Sequence, residues 1–307
     1  MISGYLAMAA TLLLWSGFFL SLRDGAHSDL TTADIALVRF LIPAIVLLPL
    51  VIKSKSVIKR VPKRYIMGMF LGCGLPYLLI VGAGMQLAPV SDGSALIPGT
   101  LPLFVSGIAV VLFKQPLSSH RILGLTLVVS GIAAFLYQGF SQPDSHLLKG
   151  YLLFLIGSLM WATFTICARV SSLNPLITAG FISLLSTLAL PALIFSGNID
   201  SYLFKTNVAE WPWKELAGHI TLQGIGAGIV AAYTYLHAIS VLGAERTAAF
   251  GAATPAIATL LAIVVFNEQP TVLGWFALGL ICVGSLIASN VFMKQDASLL
   301  YQPPKFK

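Results

Sequence analysis

Charged side chains are scarce in this sequence. Lys, Arg, Asp and Glu make up 9% of its 307 residues and hydrophobic residues 57%, whereas a soluble domain has about 25% charged residues. The net charge of +7 does not indicate nucleic-acid binding, because the basic residues cluster between apolar runs. The composition therefore excludes an ordinary soluble domain. We expect a lipid bilayer around the chain and no nucleic-acid partner.

Cysteines, acidic residues and enzyme motifs are also few or missing. Cys73, Cys167 and Cys282 lie inside apolar stretches without CxxC spacing, which favours packing over metal binding or disulfides. The sequence has no HExxH, GxSxG or P-loop motif and no paired intramembrane aspartates. Only 11 acidic residues are present for acid–base chemistry. We expect no enzyme activity, no metal and no cofactor.

One apolar stretch occurs twice. Residues 4–23, GYLAMAATLLLWSGFFLSLR, align without gaps with residues 150–169, GYLLFLIGSLMWATFTICAR. The copies share apolar residues and four distinctive pairs, Gly4/Gly150, Tyr5/Tyr151, Trp15/Trp161 and Arg23/Arg169. About twenty helical residues span a hydrocarbon core of roughly 30 Å. The pattern predicts a membrane helix and an internal duplication.

Apolar runs predict ten transmembrane helices, five in each half. The N-terminus lacks the basic run of a signal peptide, so we expect the first helix to be retained. The predicted spans are residues 4–22, 33–52, 65–86, 91–112, 121–139, 149–168, 174–195, 219–242, 246–266 and 271–293.

The halves resemble one another beyond their first helix. Pro102 aligns with Pro255 and Gly131 with Gly284, and the third helix of each half carries a Gly-xxx-Gly that would let helix backbones approach closely. Because each half has an odd number of spans, the second half must cross the membrane in the opposite sense. We therefore predict an all-α membrane protein with two inverted five-helix repeats, 1–140 and 141–295, followed by a tail, 296–307.

The distribution of basic residues predicts the orientation. With the N-terminus inside, cytoplasmic segments hold thirteen Lys and Arg residues and outside segments hold four. We expect both termini in the cytoplasm and a location in a bacterial inner membrane. The longest loop, 196–218, would then be outside, where Trp211 and Trp213 fit the headgroup region. A substrate lid is the alternative interpretation of this loop.

Arg39 is the strongest candidate for function. It lies in the second predicted span, where an unpaired charge costs roughly 2.5 to 3.5 kcal/mol or more. A structural ion pair, with Asp34 as the candidate partner, or extension of the side chain toward the outer surface would satisfy it. The functional alternative is a cation that receives a substrate carboxylate or another anion. Both interpretations stay open at this point.

Three acidic residues, Asp34, Asp92 and Glu245, and a histidine are candidates for the coupling or gating of transport. Asp92 and Glu245 begin the fourth helix of each half, where they would stabilise the helix dipole or carry a proton. His237, in the eighth span, would face a wet cavity or bond a neighbouring helix.

Aromatic and proline residues within the spans add further candidates. A pocket for a flat substrate could be lined by aromatic and amide side chains, although packing is their commoner role. These candidates are Trp15, Tyr77, Gln86, Trp161 and Tyr233. Pro102 and Pro255 each remove a backbone donor within a span, and matched kinks would suit helices that move during gating.

The arrangement as a whole resembles the EamA-type transporters of the drug/metabolite transporter superfamily. The resemblance covers residues 4–293 and rests on the two halves, the Trp of their first helices, Arg39-Phe40 and the matched prolines. It implies a ten-helix basket with a central cavity that exports metabolites by alternating access. Such families often carry a glutamate after the fourth and ninth helices. Glu268 fits that pattern, whereas the first half has Lys114, which suggests a structural role for the glutamate.

These observations together predict a secondary transporter that exports a small metabolite, most consistent with an amino acid, across the membrane. Export of nucleobases, nucleosides or drugs is the nearest alternative, and a lipid scramblase or channel is the alternative from a different class. The expected partners are a small-molecule substrate, the lipid bilayer and protons, while the sequence leaves facilitated diffusion open, as well as the choice between monomer and homodimer.

Overall fold

The computed structural model describes residues 1–143, 145–243, 247 and 250–289. Over these residues the chain is helical and contains no β-strand. The α-helices are α1 Ile2–Ala26, α2 Thr32–Lys53, α3 Lys55–Arg60, α4 Lys63–Cys73, α5 Leu75–Leu87, α6 Val90–Phe113, α7 Ser119–Phe140, α8 His146–Ser171, α9 Pro175–Phe195, α10 Tyr202–Lys205, α11 Trp213–His219, α12 Ala231–Leu242, α13 Thr254–Phe266 and α14 Val272–Ala288.

The structure is that of a multi-pass membrane protein. Within the described residues, eight helical segments are long and apolar enough to cross a bilayer. The last two predicted spans, 246–266 and 271–293, run into residues outside the described part. What is described of them forms the shorter apolar helices α13 and α14. The all-α class is confirmed, and the number ten stays a prediction.

The third predicted span is divided at Gly74 into α4 and α5. Pro76 has no backbone N–H to continue the helix, and the N–H of Leu75 donates to Ser186 Oγ of α9 at 3.0 Å. The N–H of Leu75, which the break leaves without a helical partner, is therefore hydrogen-bonded inside the bundle, as buried backbone in a membrane requires.

The eighth predicted span starts earlier than expected and is irregular. It begins at Trp213, inside the predicted loop 196–218, and runs to Leu242. Its middle, Ile220–Val230, is a π-helix. The rest of that loop holds α10 and the 3₁₀ turn Val208–Glu210. π-Helical turns are rare and occur frequently at functional sites.

Helices α7 and α14, the fifth of each predicted half, pack along their lengths. A Cβ atom on Gly124 would lie 2.5 Å from the backbone nitrogen of Ala288 and 2.7 Å from the carbonyl oxygen of Gly284. A Cβ atom on Gly131 would lie 2.9 Å from the carbonyl oxygen of Ala277. The aligned pair Gly131/Gly284 thus lies on both sides of one close helix contact, as small residues do in membrane bundles.

The two Gly-xxx-Gly pairs also mark close approaches, which confirms that prediction. Gly72 of α4 lies against α8, where a Cβ atom would be 2.3 Å from the carbonyl oxygen of Met160. Gly224 of the π-helix lies against α2, where a Cβ atom would be 2.8 Å from the carbonyl oxygen of Val38. The third helix of each predicted half therefore packs by backbone proximity.

We expect Gly124→Ala to destabilise the bundle. The new methyl group would meet backbone atoms of α14, which cannot rotate away, and overpacking of this kind costs about 1–3 kcal/mol. Unfolding in detergent, followed by circular dichroism, measures the loss. Gly279→Ala on α14 is the matched control, because a Cβ atom there meets nothing within 4 Å. Equal stability of the two variants would contradict the close contact at Gly124.

Candidate functional site

The side chain of Arg39, on α2, contacts both α1 and the π-helix. Its Nη1 donates to the carbonyl oxygen of Gln223 at 3.1 Å, and its guanidinium carbon is 5.6 Å from the centre of the Phe18 ring. The absence of a side chain at Gly228 makes room for it, because a Cβ atom there would be 3.3 Å from Nη1. The charge is therefore held by a carbonyl dipole and a ring face.

The Gln223 side chain supports this arrangement. Gln223 is fully buried in the π-helix, and its Nε2 donates to the carbonyl oxygen of Phe18 at 3.0 Å. One residue thus bonds α1 through its side chain and Arg39 of α2 through its backbone. Sequence reasoning did not select Gln223, because an isolated glutamine in an apolar run shows nothing of its helix geometry.

No carboxylate of the described residues lies within 4 Å of the Arg39 guanidinium. The predicted pairing with Asp34 is wrong. Asp34 stands five residues away on α2, more than one helical turn, and its carboxylate is used by other groups. Arg39 therefore has a hydrogen bond and a ring contact but no counter-ion among these residues.

Asp34 instead attaches the long loop to the amino end of α2. Its Oδ2 accepts from the backbone N–H of Thr31 at 2.8 Å, which completes a capping box, and from the backbone N–H of Tyr202 at 2.9 Å. Its Oδ1 accepts from the backbone N–H of Leu203 at 3.2 Å and from the Ser201 hydroxyl. Asp34 is 1% exposed. The contacts give it an anchoring role, and a role in gating stays a prediction.

Four aromatic rings from four helices meet near the centre. Trp15 of α1 is 6.4 Å from Trp161 of α8 and 5.1 Å from Tyr235 of α12, measured between ring centroids. Tyr77 of α5 is 6.2 Å from Trp161. Tyr77 also lies within electrostatic range of Arg39. We call Trp15, Tyr77, Trp161 and Tyr235 the aromatic set. The structure thus brings together three rings that the sequence selected.

The other predicted lining residues lie elsewhere. Gln86 is exposed near the end of α5, and Tyr233 is 62% exposed on α12. His237, one turn after Tyr233, is half-buried. Tyr235, two residues from Tyr233, points to the opposite side of the helix and reaches Trp15. The sequence did not identify Tyr235, because a span that is apolar all round shows little of which side faces inward, and a substrate-binding role for Tyr233 stays a prediction.

Asp92 lies in the first turn of α6 and is 3% exposed. Its Oδ2 accepts from the Tyr151 hydroxyl of α8 at 2.7 Å, and its Oδ1 accepts from the Ser91 hydroxyl at 2.9 Å. Gln138 of α7 donates through Nε2 to the Tyr151 oxygen at 2.9 Å. The predicted counterpart Glu245 lies outside the described residues.

A second, partly buried acid lies near Asp92. Glu268, which follows α13, accepts through Oε1 from Arg23 Nε of α1 at 2.7 Å. Its Oε2 accepts from the backbone N–H of Val90, the first residue of α6, at 2.9 Å. Both charges of the pair are largely enclosed, with 14% and 15% of the side chains exposed. We call the end of the bundle that holds these groups the Glu268 end.

Arg23 and Tyr151 were not selected as site residues, although both belong to the duplicated Gly-Tyr…Arg pattern. Tyr151 bonds Asp92, and Arg23 bonds Glu268. Repetition in the sequence was the signal that could have identified them. It was interpreted as evidence of duplication only.

The two aligned prolines take different places. Pro102 lies inside the continuous helix α6, and its carbonyl oxygen accepts from the Ser106 hydroxyl. Pro255 lies in the first turn of α13, so the expected kink within a helix is a helix start at that position. Proline is favoured there because the first N–H groups of a helix have no partner inside it.

A cavity of about 490 Å³ lies between α6 and α8, and none of the aromatic set lines it. It is lined only by apolar residues and glycine, Leu103, Phe104, Gly107, Ile108, Val111, Leu112 and Leu159. Among the described residues, no group of three His, Cys, Asp or Glu side chains could hold a metal ion.

A sequence profile of the EamA-like transporter family matches residues 2–137 and again residues 148–290. None of the curated proteins is a detectable relative of the chain. One protein of known crystal structure is similar over 95% of this chain and 99% of its own length, with a TM-score of 0.60 and 18% identity. At that identity the similarity shows a shared fold alone.

We expect Asp34→Asn to loosen the loop between α9 and α11. The amide has one acceptor oxygen where the carboxylate has two, and bonds to a charged group contribute about 1.5–3 kcal/mol each. Limited proteolysis should cut residues 201–213 faster in this variant. Asp200→Asn, whose ion pair with Lys205 is exposed (80% and 65%), is the control and should not change the rate. Equal cleavage of both variants would refute the anchoring role of Asp34.

Proposed function

The chain belongs to the EamA-like transporter family, and we propose that it is a secondary active transporter that exports small metabolites, most consistent with amino acids, by alternating access. We further propose ten transmembrane spans in two inverted repeats, 1–140 and 141–295, with both termini in the cytoplasm of a bacterium and the bundle in its inner membrane. In this orientation the Glu268 end faces outward. The twofold match of the family profile, to residues 2–137 and 148–290, supports the repeats.

One observation carries the proposal for the substrate. Arg39 is a cation inside the bundle with no carboxylate within 4 Å among the described residues. A substrate carboxylate would supply the missing counter-charge, and Arg binds carboxylates through two parallel hydrogen bonds. The nearby aromatic set offers faces for an apolar or flat side chain and for an ammonium group. An amino acid has both features.

The same contacts favour a transporter over a lipid scramblase. A scramblase needs a polar groove that is open to lipid, whereas Tyr77, within electrostatic range of Arg39, is only 6% exposed. Export of nucleobases or nucleosides would use the rings but would leave Arg39 without an anion.

We expect Arg39→Gln to lower the rate of substrate exchange strongly. Counterflow in proteoliposomes, with a panel of labelled amino acids and nucleosides, should show saturable exchange of a carboxylate-bearing compound by the parent protein. Loss of the guanidinium should lower exchange at least about 100-fold, since an ionic hydrogen bond contributes about 1.5–3 kcal/mol and bidentate pairing adds to it.

Arg64→Gln is the matched control, because Arg64 is exposed and contacts Tyr65. Its exchange should equal that of the parent. Normal exchange by Arg39→Gln would refute the role of Arg39. Exchange of nucleosides alone would refute the amino-acid substrate.

We propose Asp92 as the group that carries the coupling proton. It is buried at the Glu268 end, bonded by Tyr151 and Ser91, with Arg23 and Glu268 as its charged neighbours. Arg23 is already paired with Glu268, so Asp92 is the second acid of a cluster that has one cation. A proton from outside would neutralise this excess.

We expect Asp92→Asn to separate exchange from coupling. Counterflow needs no proton gradient and should persist, whereas transport driven by acidifying the side of the Glu268 end should be lost. Asp24→Asn, an exposed acid at the same end, is the control. If the Asp92→Asn variant still followed the pH gradient, Asp92 would be excluded as the proton carrier.

A further inference from the structure

Helices α6 and α13, the fourth of each predicted half, end with the same backbone geometry. Lys114 after α6 and Asn267 after α13 both adopt the left-handed conformation, with φ of 53° and 54°. In each case the next N–H bonds back to the last turn, Gln115 to Ala109 at 3.3 Å and Glu268 to Ala262 at 3.4 Å. The left-handed residue itself also bonds back in both helices, Lys114 to Val110 at 3.0 Å and Asn267 to Ile263 at 3.1 Å, so the two ends share one motif.

The shared motif identifies equivalent residues independently of side-chain similarity. Asn267 takes the place of Lys114, and Glu268 takes the place of Gln115. The comparison of Glu268 with Lys114 made from the sequence was therefore displaced by one residue. The same backbone position carries a carboxylate in one half and a neutral amide in the other.

Glu268 joins three parts of the chain at its own end. Through Arg23 it bonds the last turn of α1, and through the N–H of Val90 it bonds the first turn of α6. Its negative charge also stabilises the positive amino end of α6. Separation of these helices would break the ion pair and leave both charges without their partners.

Gln115 lies at the opposite end of the bundle, about 35 Å away along α6, because α6 has 24 residues and begins at Glu268. Arg169 aligns with Arg23 and lies near the carboxyl end of α8, about 27 Å beyond Tyr151. Whatever Arg169 contacts, it cannot form an ion pair with Gln115, because an amide carries no charge.

We propose that Arg23 and Glu268 form an ionic latch that closes the Glu268 end of the transport pathway, whereas Gln115, at the equivalent backbone position of the other end, is neutral. The inference rests on the proposed function, since a latch has meaning only in a protein that opens its two ends alternately. The pair is formed in this structure, and we expect the parent protein without substrate to favour the state closed at the Glu268 end. Opening that end requires separation of a partly buried ion pair.

Distance measurements between spin labels test the latch without a substrate. In full-length protein with Cys73, Cys167 and Cys282 replaced by Ala, one label pair at His27→Cys and Val272→Cys reports the Glu268 end. A second pair at Ile2→Cys and Leu112→Cys reports the Gln115 end. The four labelled positions are exposed. Pulsed electron paramagnetic resonance in proteoliposomes then gives the populations of short and long distances.

We expect Glu268→Gln, which places at position 268 the same neutral amide as Gln115, to raise the ratio of long to short distances at the Glu268 end about tenfold. The Gln115 end should shift toward shorter distances in the same variant. Exchange of the charges, Arg23→Glu with Glu268→Arg, should restore the parent distribution. Glu210→Gln is the control for loss of one exposed acid and should leave both distributions unchanged.

An unchanged distance distribution in Glu268→Gln would overturn the proposal. Failure of the exchanged pair to restore the parent distribution would also overturn it, since capping of α6 alone would then explain Glu268. The outcome is independent of the Arg39 test. If the protein transported no tested compound but showed these distance shifts, the latch would be supported and the proposed substrate would be refuted.

Discussion

Inside an apolar bundle every charge must be solvated by the protein itself, and this requirement determines the centre of the molecule. Arg39 donates to a carbonyl oxygen of the π-helix and lies against the ring of Phe18 on α1. The Gln223 side chain donates to the carbonyl oxygen of the same Phe18. The glycine at position 228 provides the space. Helix geometry, a glycine and a buried amide thus serve one guanidinium group.

The acids follow the same requirement in a different way. Asp34, Asp92 and Glu268 are each satisfied by several donors, and all three lie where helices begin or end. Their partners come from distant parts of the chain, so each acid also fixes the ends of neighbouring helices. The residues between these ends are held mainly by close packing of small residues, as at Gly124 and Gly284. These acids therefore fix the ends of the bundle, while close packing acts along its length.

Much of the architecture could be predicted because apolar length and repetition are visible in a sequence. The boundaries of most spans and the close contacts at the glycine pairs were predicted in this way. The break at Gly74 and the π-helix could not, because both depend on which partner satisfies the backbone. Individual hydrogen-bond partners could not be predicted for a similar reason. Proximity along one helix suggests Arg39 as the partner of Asp34, but a loop 167 to 169 residues away offers three donors. Inward-facing positions such as Tyr235 were also hidden, since helices surrounded by lipid and protein are apolar on all sides.

The π-helix also determines what an inserted or deleted residue within this segment would do to the structure. An α-helix turns by about 100° per residue, so one inserted or deleted residue rotates everything beyond it by that angle. A π-helical segment already holds surplus residues, and loss of one would convert it toward α-helix and turn α12 relative to α11. Tyr235 would then move away from Trp15 and a different side of α12 would face the rings. Changes in length at residues 220–230 would thus alter which side chains meet the centre without altering a single residue of α12.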